Sequence, residues 1–136
     1  ITVIRIRSDR MLMAYGFMRK IFEVFESFKT PIDMITTSEV SVSLTVDDPS
    51  YLDEIIKILG TLGTVEVERE QTIICVVGDF RPSRVGSAPE IFEALNTIPV
   101  KMISYGGSDN SVSILINSSD KVEALRSLSK NLFPES

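Results

Sequence analysis

The chain has 136 residues, 43% of them hydrophobic and 24% charged, the composition of a folded globular protein of one ordinary domain or two small ones. Its net charge of −5 argues against nucleic acid or an anionic membrane as a partner, and no apolar run approaches the roughly 20 residues that a membrane helix needs. With no histidine, the commonest general base and the commonest zinc ligand are both missing.

The sequence begins at Ile1 without Met or a signal-like stretch, as expected of a processed chain or a piece of a longer one. "ITVIRIRS" alternates as a strand, with Ile4 and Ile6 on one face and Arg5 and Arg7 on the other. After the loop "DRMLMAYG", a helix is predicted over residues 16–28, because Phe17, Ile21, Val24, Phe25 and Phe28 recur at helical spacing. "TPIDMIT" reads as a short strand introduced by Pro31, and residues 40–46 as a half-buried strand with Val40, Val42, Leu44 and Val46 inward. "DDPSYLDEIIKILG" is a predicted helix capped by Asp48, with Pro49 at its first position and Gly60 at its end. "TVEVERE" closes this set as another strand.

The order then begins again. "TIICVVG" is expected to be a fully buried strand, with the single cysteine, Cys75, inside it. That lone thiol excludes an internal disulfide and a cysteine-cluster metal site, and it fits a reducing, cytoplasmic compartment. A helix is predicted over residues 88–96, then the strands "PVKMISY" and "SVSILIN" around a hairpin turn in "SYGGSD". The last helix carries Val122, Leu125, Leu128 and Leu132 as its stripe. "IFEVF" at Ile21 answers to "IFEAL" at Ile91, "SVSLTV" at Ser41 to "SVSILI" at Ser111, and Gly16 to Gly86, all at an offset of 70. "PIDMI" answers to "PVKMI" at an offset of 68. A near-constant offset means a duplicated module. The expected fold is α+β, two ferredoxin-like βαββαβ modules over residues 1–70 and 71–136, each an antiparallel sheet with helices on one face. The second module lacks a fourth strand of its own, and a strand from upstream of Ile1 is expected to supply it.

Chemistry offers little. Asp33, Thr36, Thr37, Ser38 and Glu39 form the one cluster rich in carboxylates and hydroxyls, but no nucleophile with an activating base and no phosphate-cradling glycine loop accompanies them. Catalysis by this chain is therefore not expected. The cluster suits an ammonium-bearing small molecule, with amides ahead of a helix as donors to a carboxylate and Met11, Phe17, Met18 and Ile32 as walls. RNA binding through the sheets is disfavoured, because the strands offer Ser, Val and Ile rather than exposed aromatics.

"RMLMAYGFMRKIFEVFESFKTPIDMITTSEVSVSLTVDD" resembles the first ACT domain in the regulatory region of aspartate kinases. The run beginning "GDFRPSRVGSAPEIFEALNTIPVKMISYGG" resembles the second. The resemblance implies a C-terminal regulatory region that pairs as a homodimer through its ACT domains and binds an end-product amino acid at the interface, lysine first and threonine next, for feedback inhibition. Its effector positions would be Met11, Gly16, Phe17, Met18, Ile32, Asp33, Thr37, Ser38 and Glu39. Ala14 and Pro31 depart from the pattern, standing where lysine-sensitive relatives often have serines. In this view Asp33 accepts from the α-ammonium, Glu39 from a side-chain ammonium, and the amides of residues 16–18 hold the α-carboxylate. No cofactor is expected here; ATP and magnesium belong to a kinase domain outside this sequence. Lys101 stands where Asp33 does in the first copy, so one effector site is expected, on the first module, with the second module serving assembly. A ligand-free ACT-type dimerisation module is the alternative.

Overall fold

A computed structural model describes residues 1–8, 16–83 and 85–133. The chain forms two compact units, Ile1–Arg69 and Glu70–Ser136.

In the first unit the elements run β1 (Thr2–Arg7), α1 (Phe17–Ser27), β2 (Ile35–Thr37), β3 (Ser41–Val46), α2 (Leu52–Leu59) and β4 (Thr64–Glu68). The sheet order is β2-β3-β1-β4, antiparallel throughout. The core gathers Ile4 and Ile6 of β1, Phe17, Ile21, Val24 and Phe25 of α1, Val42, Leu44 and Val46 of β3, and Leu52, Ile55 and Leu59 of α2. The periodic stripes of the sequence thus meet as the two helices cover the sheet. Gly16 caps α1 with φ 86°, a left-handed conformation that suits glycine. The other end of α1 closes by a Schellman pattern, in which Lys29 N–H donates to the Glu26 carbonyl at 2.9 Å and Thr30 N–H to that of Phe25 at 3.0 Å. Lys29 takes the left-handed position there, at φ 51°.

The second unit repeats the plan as β5 (Gln71–Val77), α3 (Ser87–Ala94), β6 (Val100–Ser104), β7 (Ser111–Asn117), a 3-10 turn at Ser118–Asp120, and α4 (Lys121–Leu132). Its sheet has the order β5-β7-β6 among the described residues, without a counterpart of β4. Gly86 caps α3 at φ 92°, so the matched glycines of the two copies play the same part.

Four expectations need correction. The helix predicted from Asp48 starts later, at Leu52 with Tyr51 as its cap. Asp48 instead closes a turn, its Oδ1 accepting the Ser50 N–H at 3.0 Å and the Ser50 hydroxyl at 2.6 Å. β2 is shorter and later than "TPIDMIT", because Asp33 and Met34 crowd against a single residue of β3, Thr45. β5 is not buried on both faces. Ile74 and Val76 point inward, whereas Cys75 is exposed and Val77 is 67% exposed, because β5 is an edge strand with β7 as its one neighbour among the described residues. On α4 the inward positions are Ala124 and Leu128, with Leu132 packed beside them; Val122 and Leu125 are exposed. The stripe is the i, i+4, i+8 row, rotated from the expected one.

Candidate functional site

The predicted effector residues fall on three pieces of the first unit. Met11 lies outside the described residues, as does Ala14. Gly16, Phe17 and Met18 form the start of α1. No side chain caps this end, and first-turn amides have no intrahelical acceptor. Phe17 is buried in the core, and Met18 and Ile32 are packed against it. Three of the four expected walls are therefore wholly or partly structural.

Ile32 and Asp33 enter the sheet at one end of the β2–β3 hairpin. Asp33 N–H donates to the Thr45 carbonyl at 3.1 Å, which anchors its backbone, while its side chain is exposed. Thr45 pairs in turn with Val3, near the beginning of β1. Thr37, Ser38 and Glu39 lie at the opposite end. Thr37 pairs with Val42. Ser38 closes the hairpin turn: its N–H donates to the Ser41 carbonyl at 2.8 Å, and its Oγ accepts the Ser41 N–H at 3.1 Å and shares a 2.8 Å hydrogen bond with the Ser41 hydroxyl. Ser8 N–H, just past β1, donates to the Val40 carbonyl at 2.7 Å and ties this turn to the chain leading toward α1. Glu39 is at the tip, exposed.

Asp33 and Glu39 therefore do not converge within one chain. Six residues of nearly extended chain separate them by roughly 15–20 Å. α1, about 16 Å long, ends beside the segment leading to Asp33, so its amino end lies toward the turn. The predicted effector residues of one chain thus fall into two groups, each a half of the expected site. One is the start of α1 with Ser38 and Glu39; the other is Asp33 with Ile32. They sit at opposite ends of β2, an edge strand whose outer side carries no strand among the described residues.

Thr45 escaped the sequence reading, which placed it on the outward face with Ser41 and Ser43. It is fully buried, and its hydroxyl accepts the Met34 N–H at 2.7 Å. The signal was in the repeat: Leu115 stands at the matching position of the second copy. Arg5 was also missed. Its Nε donates to Ser43 Oγ at 3.0 Å, and its Nη1 lies 3.7 Å from Glu66.

Two grooves in the second unit, of about 330 and 300 Å³, flank β5 and contain none of the predicted effector residues. Among the described residues no group of three or more His, Cys, Asp or Glu is arranged to hold a metal ion. None of the described helices is long and apolar enough to cross a membrane.

The ACT domain family profile matches residues 4–53 and 74–132. A solved structure described as a C-terminal regulatory domain of aspartate kinase from Porphyromonas gingivalis W83 is 46% identical and superposes with a TM-score of 0.87, over 97% of this chain and 91% of that one. Lysine-sensitive aspartokinase 3 of Escherichia coli K12 is 30% identical over 140 residues, 97% of this chain and 31% of that protein. The structure of E. coli aspartokinase III in complex with lysine and aspartate, a T-state, matches with a TM-score of 0.84 at 31% identity, over 97% of this chain and 31% of that one. The chain spans about a quarter to a third of the length of the curated relatives it matches.

Proposed function

Because the chain belongs to the ACT domain family, as a tandem pair of such modules matching aspartate kinases along nearly its whole length, we propose that it binds lysine between two copies of its first module for feedback inhibition of aspartate phosphorylation. The phosphoryl transfer itself, with ATP and magnesium, is assigned to the kinase portion of a longer polypeptide.

The split of the half-sites carries this reading. β2 is an open edge, and an open edge invites a second strand. Antiparallel pairing of β2 with its copy, about a two-fold axis near Thr36, reverses the strand end for end. Asp33 stands three residues before Thr36 and Glu39 three after it. The pairing therefore sets Asp33 of one protomer against the hairpin turn and the α1 amino end of its partner. Two carboxylates then face each other, an arrangement that disfavours association while nothing neutralises them. Lysine, with two ammonium groups and one carboxylate, answers that set: an ammonium at each acid and the carboxylate at the α1 amides. Threonine brings one ammonium only. Binding that favours one dimer arrangement can inhibit a distant kinase domain through a coupling of about 1–3 kcal/mol.

Complementation between chains tests the sharing. Asp33→Ala and Glu39→Ala homodimers should each bind lysine weakly. In a mixed dimer of the two, one site carries both lesions and the other none, so about half the wild-type number of sites should return at full affinity. Two weakened sites in the mixed dimer would place each site within one chain. Unaltered lysine binding in both homodimers would put the amino-acid site elsewhere, and a wild-type dimer that binds no amino acid would leave a ligand-free dimerisation module.

A further inference from the structure

Thr45 organises the backbone beside Asp33. Its carbonyl accepts the Asp33 N–H at 3.1 Å, its N–H donates to the Met34 carbonyl at 3.0 Å, and its hydroxyl oxygen accepts the Met34 N–H at 2.7 Å. Two residues of one strand thus face one residue of the next, which is a β-bulge. A bulge takes an amide out of the ladder. Here it is that of Met34, a residue only 5% exposed, so the hydroxyl satisfies a donor that would otherwise be buried without a partner. The kink falls where the acid sits. Ile32 packs on the core, Met34 is buried, and Asp33 between them is exposed.

The second module supplies the comparison. Its β6 carries the same irregularity between Val100 and Met102, at Lys101. The residue matching Thr45 is Leu115, which has no hydroxyl. The kink therefore belongs to both copies, whereas the hydroxyl occurs in the copy that carries the acid.

We propose that Thr45 is a positioning residue for effector recognition. Its hydroxyl pins the bulge and so holds the Asp33 carboxylate where it meets the ligand, without touching the ligand itself. The proposal rests on the lysine-site reading above. A carboxylate on a pinned backbone has less freedom to lose on binding. Losing one buried hydrogen bond should weaken lysine binding on the order of tenfold.

The test is calorimetric titration of lysine into the wild type, Thr45→Val and Thr45→Ser, with amide exchange at Met34 followed in the same three proteins. Thr45→Val should speed Met34 exchange and weaken binding about tenfold, while Thr45→Ser keeps both near wild type and Met102 exchange is unmoved in either. Should Thr45→Val fail to fold, Thr45→Ala against Thr45→Ser makes the same comparison. Undiminished affinity in the variant lacking the hydroxyl, or equal weakening by Ser, overturns the proposal. A wild-type protein that binds no amino acid overturns the effector site and the recognition role together; faster Met34 exchange in Thr45→Val marks that case apart from an error about the bulge.

Discussion

Gly63 passes so close to Arg7 that a Cβ on it would stand 2.3 Å from the Arg7 carbonyl oxygen. The contact lies where the chain leaves α2 and enters β4, with Thr64 pairing against the same Arg7. The obstructing atom is backbone at the end of a central strand, so it has little room to yield. Gly63→Ala should destabilise the protein by about 2–3 kcal/mol, read as a lowered urea midpoint with an unchanged slope. A variant as stable as wild type would mean the turn relaxes freely.

The helix-capping glycines separate stability from binding. Gly16 and Gly86 both hold left-handed conformations, and a Cβ at either position would meet only open space. Gly16→Ala and Gly86→Ala should each cost about 1–2 kcal/mol from backbone strain alone. Only Gly16→Ala should also weaken lysine binding, because it disturbs the amides assigned to the ligand carboxylate. Paired melting curves and titrations check both halves.

Lys29 is a candidate for stabilisation. It holds the left-handed position of the α1 Schellman turn without being glycine. Lys29→Gly should raise stability by about 0.5–1 kcal/mol, the relieved strain being partly offset by the greater freedom of glycine in the unfolded chain. Chemical denaturation of the two proteins decides it.

Asp48 titrates below the ordinary carboxylate range, first because the Ser50 hydroxyl donates to it and second because the Ser50 amide does. Its folded value is depressed, so the linked stabilisation is present above the ordinary value and is lost as pH falls through the lowered one. In Ser50→Ala the Asp48 midpoint should move up toward the ordinary range. Carbon-13 titration of the carboxyl signal would show it, and an unmoved midpoint would exclude the hydroxyl as the main cause.

The second unit's open edge gives a contrast. Cys75 is exposed, so a thiol reagent should modify it in the native protein without prior unfolding. On α4, Leu128→Ala should cost about 2–4 kcal/mol, whereas Val122→Ser should change stability by under about 0.5 kcal/mol.

The modules were legible because their apolar patterns are strong and occur twice. Ile4 with Ile6, and Ile21 with Phe25, point the same way in sequence and in structure. Errors arose where tertiary context decides. Asp48 looks like a helix cap, yet its hydrogen bonds to Ser50 commit it to a turn four residues before the helix. "TIICVVG" is apolar enough for a central strand, but whether a strand has one neighbour or two is not written in its own residues. The same limit hid Thr45, whose alternation is that of an outward residue and whose hydroxyl finds its partner eleven positions away. At the candidate site the residue types of "ITTSEV" were readable. That Asp33 and Glu39 lie at opposite ends of a hairpin became visible only with the strand register.

β2 is only three residues long. A seam between two such strands has few main-chain hydrogen bonds, and so contributes little cohesion without its guest. Each lysine held there would supply a large share of the adhesion between the subunits. In the proposed dimer, mass action would then make the assembly itself a gauge of amino-acid abundance: scarce lysine would leave the seam loose, and plentiful lysine would draw it tight.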